Sequence, residues 1–188
     1  MRIIAGKFKG RRLATPPETV RPTSDRVRES LFAMLADTVA DTRVLDLYAG
    51  SGAIGLEALS RGAKSICWVE SNREVYNHLV GNIERIAVPD WKATHRAVCA
   101  DALAFLGRQK MPPYDIVFAD PPYDKTGAGS PLEKILVAME KSAILSESGL
   151  FIYEMAAGGE WEARRSWEIL RDRSWGETRI LIMRRSQS

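Results

Sequence analysis

Asp120-Pro121-Pro122-Tyr123 is the stretch of this chain whose residue types and order most directly suggest chemistry. Proline fixes φ and lacks an N–H, so two in a row hold a rigid backbone and leave the Pro121 carbonyl without a local donor. The Asp120 side chain and that carbonyl can hold the two hydrogens of an aromatic amine, localise its lone pair and aim it at an electrophile. Tyr123 offers a ring on which a base can stack. A rigid surface turn would have the same sequence, so the surroundings must decide.

A second motif, VLDLYAGSGAIGLEAL from Val44, places Gly50, Gly52 and Gly55 in the pattern GxGxxG. Glycines there let the backbone turn tightly and let a cofactor approach, for dinucleotides and S-adenosylmethionine alike. Tyr48, Ala49, Gly50, Ser51 and Gly52 are the candidate loop contacts. Glu70, followed by Ser71, ends the next apolar run and can accept both ribose hydroxyls of either cofactor. Asp46 discriminates between them, since a carboxylate beside the loop repels a pyrophosphate and attracts the ammonium of a methionine moiety. Asp101, followed by Ala102, ends a third run and can meet the adenine amino group. Asp46 and Asp101 also read as helix caps.

Methyl transfer from S-adenosylmethionine, releasing S-adenosylhomocysteine, needs little more. The cofactor carries the leaving group and the protein supplies orientation and electrostatics. No metal is required. A general base is optional, because the methylated amine is acidic and loses its proton afterwards, to Asp120 or to water.

Such residues must be positioned by a sheet. RVLDLYAG, SICWVES, THRAVCAD, YDIVFADPP and GLFIYEM read as strands separated by amphipathic stretches, and Val75, Leu79, Ile83 and Ile86 share a helical face. SWEILRDRS and TRILIMRR are joined too tightly for a helical crossover, so they predict an antiparallel hairpin at the sheet edge. The expected fold is α/β: a mostly parallel, Rossmann-like sheet of seven strands, occupying 41–188. Residues 1–40 read as an N-terminal extension, a basic β-hairpin at 2–14 followed by a helix with Ser24 as cap. Val27, Leu31, Met34 and Leu35 form that helix's buried stripe, leaving Arg26 and Arg28 off it.

At 188 residues, 45% hydrophobic and 27% charged, the composition is that of a globular domain able to fold alone. No apolar run approaches the roughly 20 residues of a membrane span, and MRIIAGKFKGRRL has no signal-peptide core. A cytoplasmic, membrane-free protein is expected, with Cys67 and Cys99 as reduced core residues. His78 and His95 lack partners at metal-ligand spacing. Residues 1–30 hold eight Lys/Arg against three Asp/Glu, residues 161–188 seven against four, and the middle 12 against 17. Basic ends on an acidic body suit a polyanionic partner.

These motifs, in this order, resemble the class I amino-methyltransferases, and more closely the small-subunit rRNA methyltransferase D family. RIIAGKFKGRRL at 2–13, RPTSDRVRESLF at 21–32, the loop at 44–57, Glu70, DPPY at 120–123 and WGETRI at 175–180 carry the likeness. The two N-terminal motifs are the specific ones. The resemblance implies methylation of guanine N2 in 16S rRNA, within the 30S subunit or its precursor, by a monomer. It implies that Asp46, Gly50, Glu70 and Asp101 bind the cofactor, that Asp120 to Tyr123 hold guanine N2, and that Thr23 to Glu29 close over the methionine end. The basic N-terminal segment would grip RNA, with Lys7, Lys9, Arg11, Arg12, Arg26 and Arg28 as candidates. Trp175 departs from the tyrosine expected before that glycine.

Three other readings use some of the same residues. A DNA adenine-N6 methyltransferase shares the loop and the tetrapeptide, but such enzymes usually add a target-recognition region for which this chain has no long insertion. A nicotinamide-dependent oxidoreductase would use GxGxxG and Glu70. A non-catalytic RNA-binding module would use the basic ends alone.

Overall fold

In the computed structural model, residues 1–15, 24–86, 90–108, 112–122, 130–159, 161 and 164–186 are described. The elements run α1 (Asp25–Leu35), a 3-10 turn, β1 (Arg43–Leu47), α2 (Ala53–Ser60), β2 (Ser65–Glu70), α3 (Arg73–Ile86), a second 3-10 turn, β3 (Arg96–Cys99), α4 (Ala102–Arg108), β4 (Tyr114–Ala119), α5 (Pro131–Ser142), β5 (Leu145–Ala156), β6 (Trp167–Trp175) and β7 (Thr178–Arg185). The sheet has seven strands in the order β3-β2-β1-β4-β5-β7-β6. β1 to β5 pair in parallel, while β7 pairs antiparallel with β5 and β6. The mostly parallel, Rossmann-like sheet of seven strands with an antiparallel hairpin at its edge, expected from the sequence, is the one observed.

Strand side chains alternate between two faces, as the pleat requires. Val44, Ile116, Phe118, Ile152, Ile180 and Ile182 pack beneath α1, α2 and α3, and Leu45, Leu47, Val117, Phe151 and Leu181 beneath α4 and α5. Strand order reverses between β1 and β4, and open α/β sheets bind ligands outside the carboxyl ends of strands at such a point. Ser24 caps α1, accepting from Val27 N. His95 Nδ1 accepts from Ile66 N at 3.3 Å and its ring meets Trp68 edge-on, a packing role.

The basic N-terminal segment is closed by a single antiparallel bridge, Arg2↔Arg12, and is otherwise turns, with Gly6 and Gly10 at positive φ. A longer ladder does not form because the backbone donors go to α2. The Glu57 carboxylate accepts from Ile4 N and Ala5 N at 2.7 and 3.0 Å, the Ser60 carbonyl from Lys7 N at 2.7 Å, and Ser60 Oγ from Phe8 N at 2.9 Å. Ile3, Phe8 and Leu13 are buried in the same cluster as α1, α2 and α3.

Arg28 corrects the helical-wheel expectation: it is 0% exposed, not on an open face. Its Nη2 donates to the Arg2 carbonyl at 2.7 Å and to Asp25 Oδ1 at 3.1 Å. Burial lowers its pKa, opposed by the charges of Asp25 and Glu57. The periodicity of α1 carries no information about the N-terminal segment that covers this side chain. Arg28 is therefore withdrawn from the surface cations, whereas Arg26 is exposed.

Candidate functional site

Leu47 and Ala119 are register partners on adjacent parallel strands. The next residues, Tyr48 and Asp120, therefore leave the sheet side by side at the point where strand order reverses. This brings the glycine-rich loop and the Asp-Pro-Pro segment to one edge. Asp120 is half-buried, Pro121 buried and Pro122 exposed. Tyr123, and Thr23 at the start of the segment expected to close over the cofactor, lie outside the described residues.

The loop is fastened at both ends. Ala49 N donates to the Val69 carbonyl at 3.0 Å, Gly52 N to the Ala49 carbonyl at 2.7 Å, and Gly50 N to Glu70 Oε2 at 3.0 Å. Tyr48, Gly50 and Gly52 all have positive φ, a conformation that costs a tyrosine energy and clusters at ligand sites. Gly55 serves packing: a Cβ there would strike the Trp68 indole and Ile66 Cγ2, so glycine lets α2 lie close on β2.

Besides Asp120, three carboxylates stand around this edge. Asp46, buried on the α2 side of the sheet, accepts from Gly55 N at 2.9 Å through Oδ2, and its other oxygen has no partner among the described residues. Burial raises its pKa to about 8, against the pull of the Gly55 N–H and with the help of the Glu70 charge. Glu70 also accepts from Asn72 N at 2.8 Å through Oε1. Asp101 caps α4, accepting from Ala104 N at 2.8 Å, with Ala102 buried behind it. Burial, with the Asp101 charge adding to it, pushes the Tyr48 hydroxyl up to about 12. The Ser71 carbonyl accepts from the Cys99 thiol at 3.8 Å. So the candidate cofactor residues from Asp46 to Ala102 gather at the ends of β1, β2 and β3. The cap readings of Asp46 and Asp101 hold, and they leave room for ligand contact, since each carboxylate has an oxygen outside its cap bond.

Asn82 is a buried polar residue beside the glycine-rich loop that sequence reasoning missed. Fully buried on α3, it accepts from Ala14 N at 2.9 Å and donates to the carbonyls of Ala14 and Ser51, both at 3.0 Å. It ties the N-terminal segment to the glycine-rich loop. Its signal was present: an amide within the buried stripe of Val75, Leu79, Ile83 and Ile86 must find polar partners. Glu57 was equally legible as the lone charge in AIGLEALS.

Lys7, Lys9, Arg11 and Arg12 are exposed. The loop that bears them lies against the far ends of two helices. Lys7 N meets Ser60 at the end of α2, and Arg11 Nη1 donates to the Ile86 carbonyl at the end of α3 at 2.8 Å. With α2 of 8 residues rising 1.5 Å per residue, the loop that bears these cations is set back by about 12 Å from the edge that carries the glycine-rich loop.

Among the described residues no cluster of His, Cys, Asp or Glu could hold a metal, and no helix is long and apolar enough to cross a membrane.

A family model described as Conserved hypothetical protein 95 matches residues 1–184. The chain is 35% identical over 187 residues to the ribosomal RNA small subunit methyltransferase D of Escherichia coli K12, covering 98% of this chain and 90% of that protein. It is 33% identical over 178 residues to the protein of the same name from Haemophilus influenzae, covering 94% and 89%. A solved structure described as a methyltransferase from Escherichia coli superposes with a TM-score of 0.84 at 35% identity, covering 98% and 97%.

Proposed function

The chain belongs to the small-subunit ribosomal RNA methyltransferase D family, and from that membership we propose that it transfers the methyl group of S-adenosylmethionine to the exocyclic N2 amine of a guanine in 16S rRNA, presented by a 30S subunit or its precursor. The observation that supports the reading is the Leu47–Ala119 pairing, from which the glycine-rich loop and the Asp-Pro-Pro segment leave neighbouring strands.

The fit to the cofactor rests on Asp46. A buried carboxyl with one oxygen unengaged and its pKa near 8 is an electrostatic deficit that an ammonium relieves. Glu70 accepts ribose hydroxyls on the lone pairs its backbone donors leave, and Asp101 accepts the adenine amine. Gly50 and Gly52 let the backbone come close. When bound, the cofactor supplies a methyl group on a sulfonium, already activated for displacement.

The chain's own residues then act on the acceptor. The Asp120 carboxylate and the Pro121 carbonyl take the two hydrogens of the guanine amine, which directs the nitrogen lone pair toward the methyl. Tyr123 stacks on the base. With the amine so held, its nitrogen would be aligned to take the methyl while the carbon–sulfur pair stays with the thioether product, and Asp120 or water would accept the one proton the methylated amine sheds. Holding both reactants in line is the main source of acceleration, since an oriented pair avoids the entropy of encounter.

Asp120→Ala separates this mechanism from simple RNA binding. Transfer should fall by at least about 100-fold while affinities for S-adenosylhomocysteine and RNA stay within about twofold. A variant that keeps full turnover contradicts the role given to Asp120.

A further inference from the structure

The cations of the N-terminal loop stand back from the reacting edge, and a different set stands level with it. Across the sheet Ala119 aligns with Tyr153, Tyr153 with Leu181, and Leu181 with Asp172. One residue further on, Asp120 is level with Glu154, Ile180 and Arg173. Three strand spacings of about 4.8 Å separate β4 from β6, so the Arg173 backbone lies roughly 14 Å from the β4 line. That is the span of roughly four nucleotides stacked 3.4 Å apart.

A bulge decides which way these side chains face. Pairing runs Ile169↔Met183 and then Arg171↔Ile182, with Leu170 as the extra residue. Without it, Arg171 would oppose Leu181 and Arg173 would oppose Arg179. A one-residue shift moves every later side chain to the other face. As built, Arg171 and Arg173 emerge beside Ile182 and Ile180 on the side of α1 and the N-terminal segment. The same shift turns Asp172 to the opposite face, where it pairs with Arg179 at 2.7 Å.

The two arginines also differ from their neighbours in charge balance. Arg164, Arg179 and Arg184 pair with Glu133, Asp172 and Glu168. Arg171 and Arg173 are exposed, each donates to the preceding residue's carbonyl, and neither is in an ion pair among the described residues, although the Asp172 charge acts on Arg173. Two guanidiniums outside any ion pair on one face of an outer strand, Arg173 level with Asp120 and Arg171 level with Phe118 two residues behind it, form a surface for phosphates.

We propose that Arg171 and Arg173 on β6 are a second contact surface for the RNA substrate, gripping its phosphate backbone beside the base held at Asp120. This rests on the reading of the substrate as RNA.

The test compares wild type, R171A/R173A and R171K/R173K in binding to 16S rRNA across a salt series and in transfer to 30S particles that lack the modification. The alanine pair should raise the RNA KM severalfold and reduce the log-log salt slope by roughly 1.4 to 1.8, at about 0.7 to 0.9 for each phosphate neutralised. Saturated turnover and S-adenosylhomocysteine affinity should not change, and the lysine pair should keep most of the slope. An unchanged slope in the alanine pair overturns the proposal. So does self-association of that variant with normal RNA binding, which would make the arginines guards of an exposed strand edge. If wild type neither methylates nor binds RNA, the substrate reading fails, and this surface with it.

Discussion

Asp46 accepts the backbone N–H of Gly55 at 2.9 Å, so a carboxyl from the penultimate residue of β1 caps α2 from across the glycine-rich loop. Gly52 at the helix N-cap has no side chain for that task. A single carboxyl thus serves the helix with one oxygen and has the other to offer a cation.

A pH dependence follows. Asp46 binds its proton more tightly when folded, up to about 8 against an ordinary 3.8. Its contribution to stability therefore falls as pH rises across that window and is level above it. Binding a methionine ammonium requires the ionised form, so affinity for S-adenosylhomocysteine should rise with pH between about 6 and about 7.5, approaching tenfold per unit. Asp46→Asn, which keeps an acceptor for Gly55, should bind weakly and without that slope. Titration calorimetry at several pH values checks this; a wild-type affinity independent of pH would remove Asp46 from the cofactor's charge balance.

Gly55→Ala should cost about 1 to 3 kcal/mol, because the new methyl meets the buried Trp68 indole and Ile66 and overpacking a filled core is destabilising. Denaturant melts measure the loss. A neutral result would mean that α2 can lift from β2 without penalty.

Glu57→Ala removes the acceptor for Ile4 N and Ala5 N and the partner of Arg61 at 2.8 Å. Because buried Arg28 loses a nearby charge and these part-buried donors lose their acceptor, we expect a loss of about 3 to 5 kcal/mol. Trypsin should then cut early at Lys7 or Lys9. Resistance equal to wild type would show that apolar packing of Ile3, Phe8 and Leu13 alone holds the segment.

Replacing Lys7, Lys9 and Arg12 together with Ala should flatten the salt dependence of RNA binding, by about 0.7 to 0.9 for each phosphate no longer neutralised. The melting temperature should not change, since none of the three is in an ion pair among the described residues. Arg11 is left in place because it bonds the end of α3. An unchanged slope would assign the loop a structural role only.

Much of this was legible in the sequence because it is local. Strand runs, the α3 stripe, the Ser24 cap and the tight β6–β7 turn each follow from residues within a few positions of one another, and the loop and tetrapeptide could be placed at strand ends on the same grounds. What the sequence did not disclose is long-range. The burial of Arg28 depends on a segment 26 residues away, the N-terminal ladder gives way to bonds with Glu57 and Ser60, and the facing of Arg171 and Arg173 turns on one bulge. Asn82 and Glu57 were visible as polar residues in apolar stripes, but their partners were not.

The most direct measurement is transfer of labelled methyl from S-adenosylmethionine to 30S particles from cells lacking this protein, followed by nucleoside analysis of the 16S rRNA. The account predicts label in N2-methylguanosine. Label in N6-methyladenosine, or none in RNA with transfer to duplex DNA instead, would contradict it.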